Sequence, residues 1–173
     1  MPLRVCAALA ACLAVVIALP ALAAPASALW GKGPKEVLSA LGAPARGVTQ
    51  DEEQEAFGQD LLVIRPGTYA DIAVNEQYFF KDGERLGAVR LYITKPSDCA
   101  ALLAAARASL GEPAHTQTQD FGLIMAVKVD DYPDQKSGVW IELVEITHRD
   151  PSRAACHLTY RPFADGAPGW FPN

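Results

Sequence analysis

The chain has 173 residues, half of them hydrophobic, and a formal net charge of −5. That supplies enough apolar material for one domain of ordinary size with a real core, and it excludes global disorder. No block of basic residues is present, which excludes nucleic acid as a partner, because that needs a Lys/Arg face to displace phosphate counterions.

Residues 1–28 read as a cleaved leader. Arg4 precedes the almost wholly apolar run Val5 to Leu19, Pro20 breaks it, and two A-x-A sites follow at Ala21-Leu22-Ala23 and Ala26-Ser27-Ala28. Cleavage is expected after Ala28, giving Leu29 as the mature start and a charge of −5 − 1 = −6, since only Arg4 is lost. The run is too short and too broken for a stable membrane span. Leu9-Ala10-Ala11-Cys12 also fits a lipoprotein box, but the apolar run before Cys12 is very short. The expected location is therefore the bacterial periplasm or the exterior. Cleavage leaves two cysteines, Cys99 and Cys156. In an oxidising compartment such a pair reads as one disulfide, with two buried free thiols as the alternative.

Pro34 suits the first position of a short helix whose apolar stripe is Val37, Leu38 and Leu41, with Gly42 as its stop. Asp51 to Glu55 reads as an acidic surface loop. Strand patterns follow in LLVIRPG, from Leu61 to Gly67, and in Ile72 to Phe80 and Arg85 to Ile93. The last two flank Lys81-Asp82-Gly83-Glu84, a strong hairpin signal. Ser97 then caps a second helix with Cys99, Leu102, Leu103, Ala106 and Leu110 on one stripe, stopped by Gly111. LIMAVKV, from Leu123 to Val129, reads as a strand. Asp130-Asp131-Tyr132-Pro133-Asp134 reads as a protruding loop. Val139 to Thr147 pairs with Cys156 to Arg161, and the Pro/Gly-rich tail 162–173 reads as loose, with Trp170-Phe171 able to dock.

The chain repeats itself at the two helix ends. LGAPARGVTQ starts at Leu41 and LGEPAHTQTQ at Leu110, with six of ten positions identical. The expected fold is α+β: two tandem α-then-β repeats, 29–95 and 96–161, forming an antiparallel sheet with helices on one face. This order of elements, with its "LGxP" helix exits, resembles the β-lactamase-inhibitor-protein-like fold and, for one repeat, the small lipoprotein of the outer-membrane barrel-assembly machinery. The resemblance implies a non-catalytic protein-binding scaffold that uses the uncovered sheet face, and no functional residue carries over from it.

Strand alternation assigns the faces. With Asp82-Gly83 centring the hairpin, Phe79 opposes Leu86 and Gln77 opposes Ala88. Ile72, Val74, Val89, Leu91 and Ile93 then face the helices, and Glu76 falls on that apolar face too. Phe79, Leu86, Ala88, Arg90 and Tyr92 face away, as does Trp140, opposite in phase to Val139, Ile141 and Leu143. Phe79, Arg90, Tyr92 and Trp140, with Glu142 between them and Tyr132 at the rim, are the candidate binding residues, because aromatics mixed with Arg are enriched at interface centres. The competing expectation is that the tail or long loops cover this face as ordinary core. Cys99 and Cys156 both point into the helix–sheet gap, which makes them the expected disulfide.

Chemistry is sparse. The histidines are His115, His148 and His157, and no Gly-x-Ser-x-Gly elbow is present. A register that set His148 opposite His157, near Asp150, would provide only two of the three or four ligands zinc needs. The acids at Asp51-Glu52-Glu53 and Asp130-Asp131 read as solvated loop charge. The expectation is a non-enzymatic exported protein with no cofactor and no metal, docking on an unidentified periplasmic or envelope protein. A small envelope hydrolase or metal-dependent enzyme and a small-ligand or lipid carrier are the alternatives.

Overall fold

A computed structural model describes residues 27–163. The expected leader with Cys6 and Cys12, up to residue 26, and the tail residues 164–173, including Trp170-Phe171, lie outside the described residues.

In chain order the elements are α1 (Pro34–Leu41), β1 (Arg46–Gly47), β2 (Glu55–Ala56), β3 (Gln59–Tyr69), β4 (Ile72–Lys81), β5 (Arg85–Ile93), α2 (Cys99–Leu110), β6 (His115–Asp120), β7 (Met125–Asp134), β8 (Val139–His148) and β9 (Ala155–Pro162). Both helices end as their sequences dictate. Gly42 (φ 63) donates its N–H to Leu38 C=O, and Gly111 (φ 78) donates to Arg107 C=O. The start of α1 is held by Glu36, whose carboxylate accepts the Gly33 N–H at 3.0 Å. Ser97 does not cap α2. It sits inside a 3-10 turn, Pro96–Asp98, that runs directly into the helix.

The strands form one nine-stranded sheet in the order β1-β3-β4-β5-β9-β8-β7-β6, with β2 also paired to β3. Every strand pairing among the described residues is antiparallel. This overturns the expected two tandem α-then-β repeats with helices layered on a face. The fold is α+β, but the sheet dominates it, and the described residues hold only two α-helices. The physical reason is β9, the last strand in sequence, which is hydrogen-bonded to β5 on one side and β8 on the other. Its two ladders leave no seam between halves. The eight-residue α1 fully buries only Val37, too little to make a layer.

The main core joins Val37, Leu102, Leu103 and Ala106 of the helices to Val63, Tyr78, Phe80, Val89, Leu143, Leu158 and Tyr160 of the sheet. Cys99 at the start of α2 is bonded to Cys156 in β9, with their Cα atoms 5.6 Å apart. The bridge closes a sequence separation of 57 residues, for which chain entropy gives roughly 4 kcal/mol of stabilisation.

The β4–β5 hairpin turns at Asp82 and Gly83, both at positive φ (55 and 68), closed by Glu84 N–H to Lys81 C=O at 3.1 Å. Its register differs from the expected one. Gln77 pairs with Arg90 and Phe79 with Ala88, while a bulge lets Phe80 pair with Leu86. Gly87 is the extra residue, and a Cβ there would run into the Gln59 carboxamide. The bulge returns Leu86 to the helix-side core. Glu76, the acid expected to be out of place, does face that core. Arg65, its cross-strand neighbour, grips it with two bonds of 2.8 Å, and Tyr78 Oη donates to it at 2.5 Å.

Candidate functional site

The face of the sheet turned away from the main core is built by alternation alone. On β9 the sequence CHLTYR places Cys156, Leu158 and Tyr160 in the core, so His157, Thr159 and Arg161 emerge opposite. The pairings then line up Gln77, Arg90, Thr159, Glu142, Asp131 and His115 in one row across six strands. A parallel row holds Asn75, Tyr92, His157, Val144, Val129 and Gln117. Hydrophobic residues flank the polar row. Leu61, Phe79 and Ala88 cluster at one side, and Val127, Val129 and Val144 at the other.

Arg90 anchors one end. Its Nε donates to Gln77 Oε1 at 2.7 Å and its guanidinium donates to Gln54 Oε1 at 2.9 Å. It lies 4.9 Å over the Phe79 ring and 5.7 Å from the Tyr92 ring. Tyr92 neighbours the His157 ring at 6.3 Å. Burial, with the Arg90 charge second, pushes the His157 imidazole down from 6.5 to about 3, so it is neutral at physiological pH. In the middle Glu142 is fully buried, with Arg161 at 3.4 Å. Asp131 stands directly across from it on β7, and burial raises its pKa. Asp131 Oδ1, Thr159 Oγ1 and Arg161 Nε are buried and make no hydrogen bond among the described residues.

The expected binding residues separate here. Arg90, Tyr92 and Trp140 lie on this face and stay half-buried. Trp140 packs against Phe163 with centroids 5.2 Å apart. Phe79 is on the same face but wholly buried, with Phe57 edge-on at 5.7 Å. It is therefore core and not an exposed anchor. Tyr132 is not at a rim: it is buried in the helix-side core opposite Ile141. The loop that was to carry it is the end of β7, paired residue by residue with β8.

Two adjacent acids show why that stretch was misread. Strand alternation sends Asp131 to the row and Asp130 to the helix side. Burial disfavours ionised Asp130, but Thr116 (2.7 Å), Lys128 (3.2 Å) and Arg107 (3.3 Å) outweigh it and hold its pKa below the usual carboxylate range. Neither acid is solvated loop charge. The His148–His157 juxtaposition that zinc would have required does not form: His157 pairs with Val144, His148 with Met125, and His148 Nδ1 accepts the Asp150 N–H at 2.9 Å. Among the described residues no three His, Cys, Asp or Glu side chains converge as a metal site.

Sequence reasoning passed over Thr159 and Arg161, and weighed His157 only as a metal ligand beside His148. Their signal was present, because they are the complement of the β9 core residues it did use. A groove of about 790 Å³ lies elsewhere, lined by Pro96, Ala100, Leu103, Ile146 and Pro151. No family model matches the chain, and no curated protein and no solved structure matches it. The resemblance to β-lactamase-inhibitor-protein-like proteins therefore rests on the sequence pattern alone.

Proposed function

We propose that this is an exported, non-enzymatic protein-binding module that docks through the sheet face carrying Arg90, Tyr92 and Trp140. The observation behind this reading is the polar row, where Asp131, Thr159 and Arg161 keep buried polar atoms without hydrogen bonds. Such atoms cost stability, and a partner that completes their bonding would offset that cost. The mixture of acceptors and donors suits a polypeptide, which offers both N–H and C=O groups. Tyr92 and Trp140 supply the apolar contact that interface centres favour. The disulfide agrees with export, and no helix among the described residues is long and apolar enough to cross a membrane.

The test is capture of proteins from an envelope extract on the oxidised chain, beside a Tyr92→Ala/Trp140→Ala variant and a Lys35→Ala control on α1. Both variants must first melt close to the parent. A protein held by the parent and the control but lost with the double variant supports the reading. Identical capture by all three chains sinks it.

A further inference from the structure

The sheet ends on one side in β1, two residues long, and on the other in β6, six residues long. We propose that β6 is a self-pairing edge through which two copies of this chain join their sheets about a two-fold axis at Thr118.

The backbone of β6 sets the geometry. Its register against β7 runs without a shift from His115–Asp131 to Asp120–Ala126. Phe121 N–H donates to Met125 C=O at 2.9 Å, one step further along the same register. Bonded positions alternate along an antiparallel ladder, so His115, Gln117 and Gln119 turn their backbone groups toward β7. The N–H and C=O of Thr116, Thr118 and Asp120 therefore point off the sheet. The usual protections of such an edge are missing: HTQTQD contains no Lys, Pro or Gly, and no bulge interrupts it.

A second copy fits this edge better than an arbitrary strand does. In antiparallel order centred on Thr118, the off-sheet positions meet one another. Thr118 opposes Thr118, and Thr116 opposes Asp120 of the second copy, each pair exchanging two backbone bonds. Between them Gln117 opposes Gln119 of the second copy. Gln119 Oε1 is buried and has no hydrogen bond in the single chain, and a carboxamide N–H is what it lacks. The charges favour the same register. Asp120 is the only acid of the strand and His115 its only basic group. Centring on Thr118 carries each Asp120 toward the His115 end of the other copy, whereas a slip centred on Asp120 would set the acids face to face. Beyond the strand, Phe121 then stands opposite His115 of the second copy. Phe121, Leu123 and Ile124 are 46%, 89% and 62% exposed, an apolar tip that a joined edge partly covers. Because the pairing is isologous and β1 is too short to extend it, assembly closes at two copies.

Sedimentation of the full oxidised chain over a wide concentration range tests this. The expected result is a monomer–dimer equilibrium with no larger species. Thr118→Pro removes an off-sheet N–H without touching the β6–β7 ladder and should weaken dimerisation by at least about thirtyfold, through the two symmetry-related bonds lost. Thr118→Lys and Thr118→Glu guard against misfolding as an explanation. Each should be monomeric alone, and mixing them should restore a dimer. A parent that stays monomeric at every concentration overturns the proposal, as does a dimer indifferent to all three variants. A monomer that instead binds phosphatidylglycerol vesicles through Leu123 and Ile124 overturns it too, and assigns the tip to lipid.

Discussion

The two faces of this sheet are both well buried near their centres, yet they solve burial differently. On the helix side every charged group that goes under is matched. Glu76 has Arg65 and Tyr78, and Asp130 has Thr116, Lys128 and Arg107. The rest is aliphatic, aromatic or disulfide, although the buried Tyr132 and Tyr160 hydroxyls make no hydrogen bond among the described residues. On the opposite face Asp131, Thr159 and Arg161 keep unspent polar atoms beside Tyr92 and Trp140. Burial alone therefore does not tell core from site here. Among the described residues the difference lies in the charged groups, whose polar atoms are bonded on the helix side and partly unbonded on the other, and an unmatched buried charged group costs more than a hydroxyl does.

The contrast makes the helix side the seat of stability, and perturbations should rank accordingly. Cys99→Ala should lower stability by about 4 kcal/mol under oxidising conditions and leave it unchanged against a reduced parent. Equal melting points in oxidised and reduced parent would contradict this. Leu102→Ala, at a fully buried position of α2, should cost about 3 kcal/mol by denaturant titration, through lost transfer energy and a cavity. Arg65→Ala leaves the Glu76 carboxyl without its main partner. Because Arg65 is partly exposed, the loss should be about 2 kcal/mol, below the usual range for breaking a buried pair. Glu76→Gln combined with Arg65→Ala should recover part of it.

The opposite face should reveal itself through pH. His157 is neutral when folded, with its pKa pushed from 6.5 to about 3. Below 6.5 the unfolded chain takes up a proton that the folded chain refuses, so stability falls as pH drops from 6.5 toward 3 and is unaffected by this group above 6.5. The slope contributed is at most about 1.4 kcal/mol per pH unit, and His157→Gln should remove it from urea titrations run across that window. The smallest effect is expected from Trp140→Ala. The half-buried ring should cost under about 1 kcal/mol while abolishing any partner capture. A large loss of stability there would erase the distinction between the faces.

Much of the local structure was legible in the residues themselves. Gly42 and Gly111 end helices because the left-handed conformation they adopt suits only glycine well. Asp82-Gly83 makes the hairpin turn for a related reason. The phase of Val139, Ile141 and Leu143 against Trp140 and Glu142 is alternation and nothing more, and it placed Arg90, Tyr92 and Trp140 on one face. The errors came where a residue's environment is provided from far along the chain. Asp130 reads as loop charge until Thr116 and Arg107 surround it, and Tyr132 follows it into the core. Glu76 looks misplaced until Arg65 arrives on the adjacent strand. The bulge at Gly87 moves Leu86 between faces, and its neighbour Gln59 comes from another strand.

The sequence by itself determined the helix C-termini, the hairpin turn, the inward and outward phase of β4, β8 and β9 and the pairing of Cys99 with Cys156. Each depends on backbone conformational preference, on period-two alternation or on the count of cysteines, all of which are local or compositional. Only the tertiary structure decided that β9 lies between β5 and β8 and makes one sheet where two repeats were expected. It also decided which buried acids are matched and which polar atoms remain open. Those outcomes depend on which strands find each other across long separations, where free energy is set by packing and hydrogen-bond completion between residues that no local pattern connects.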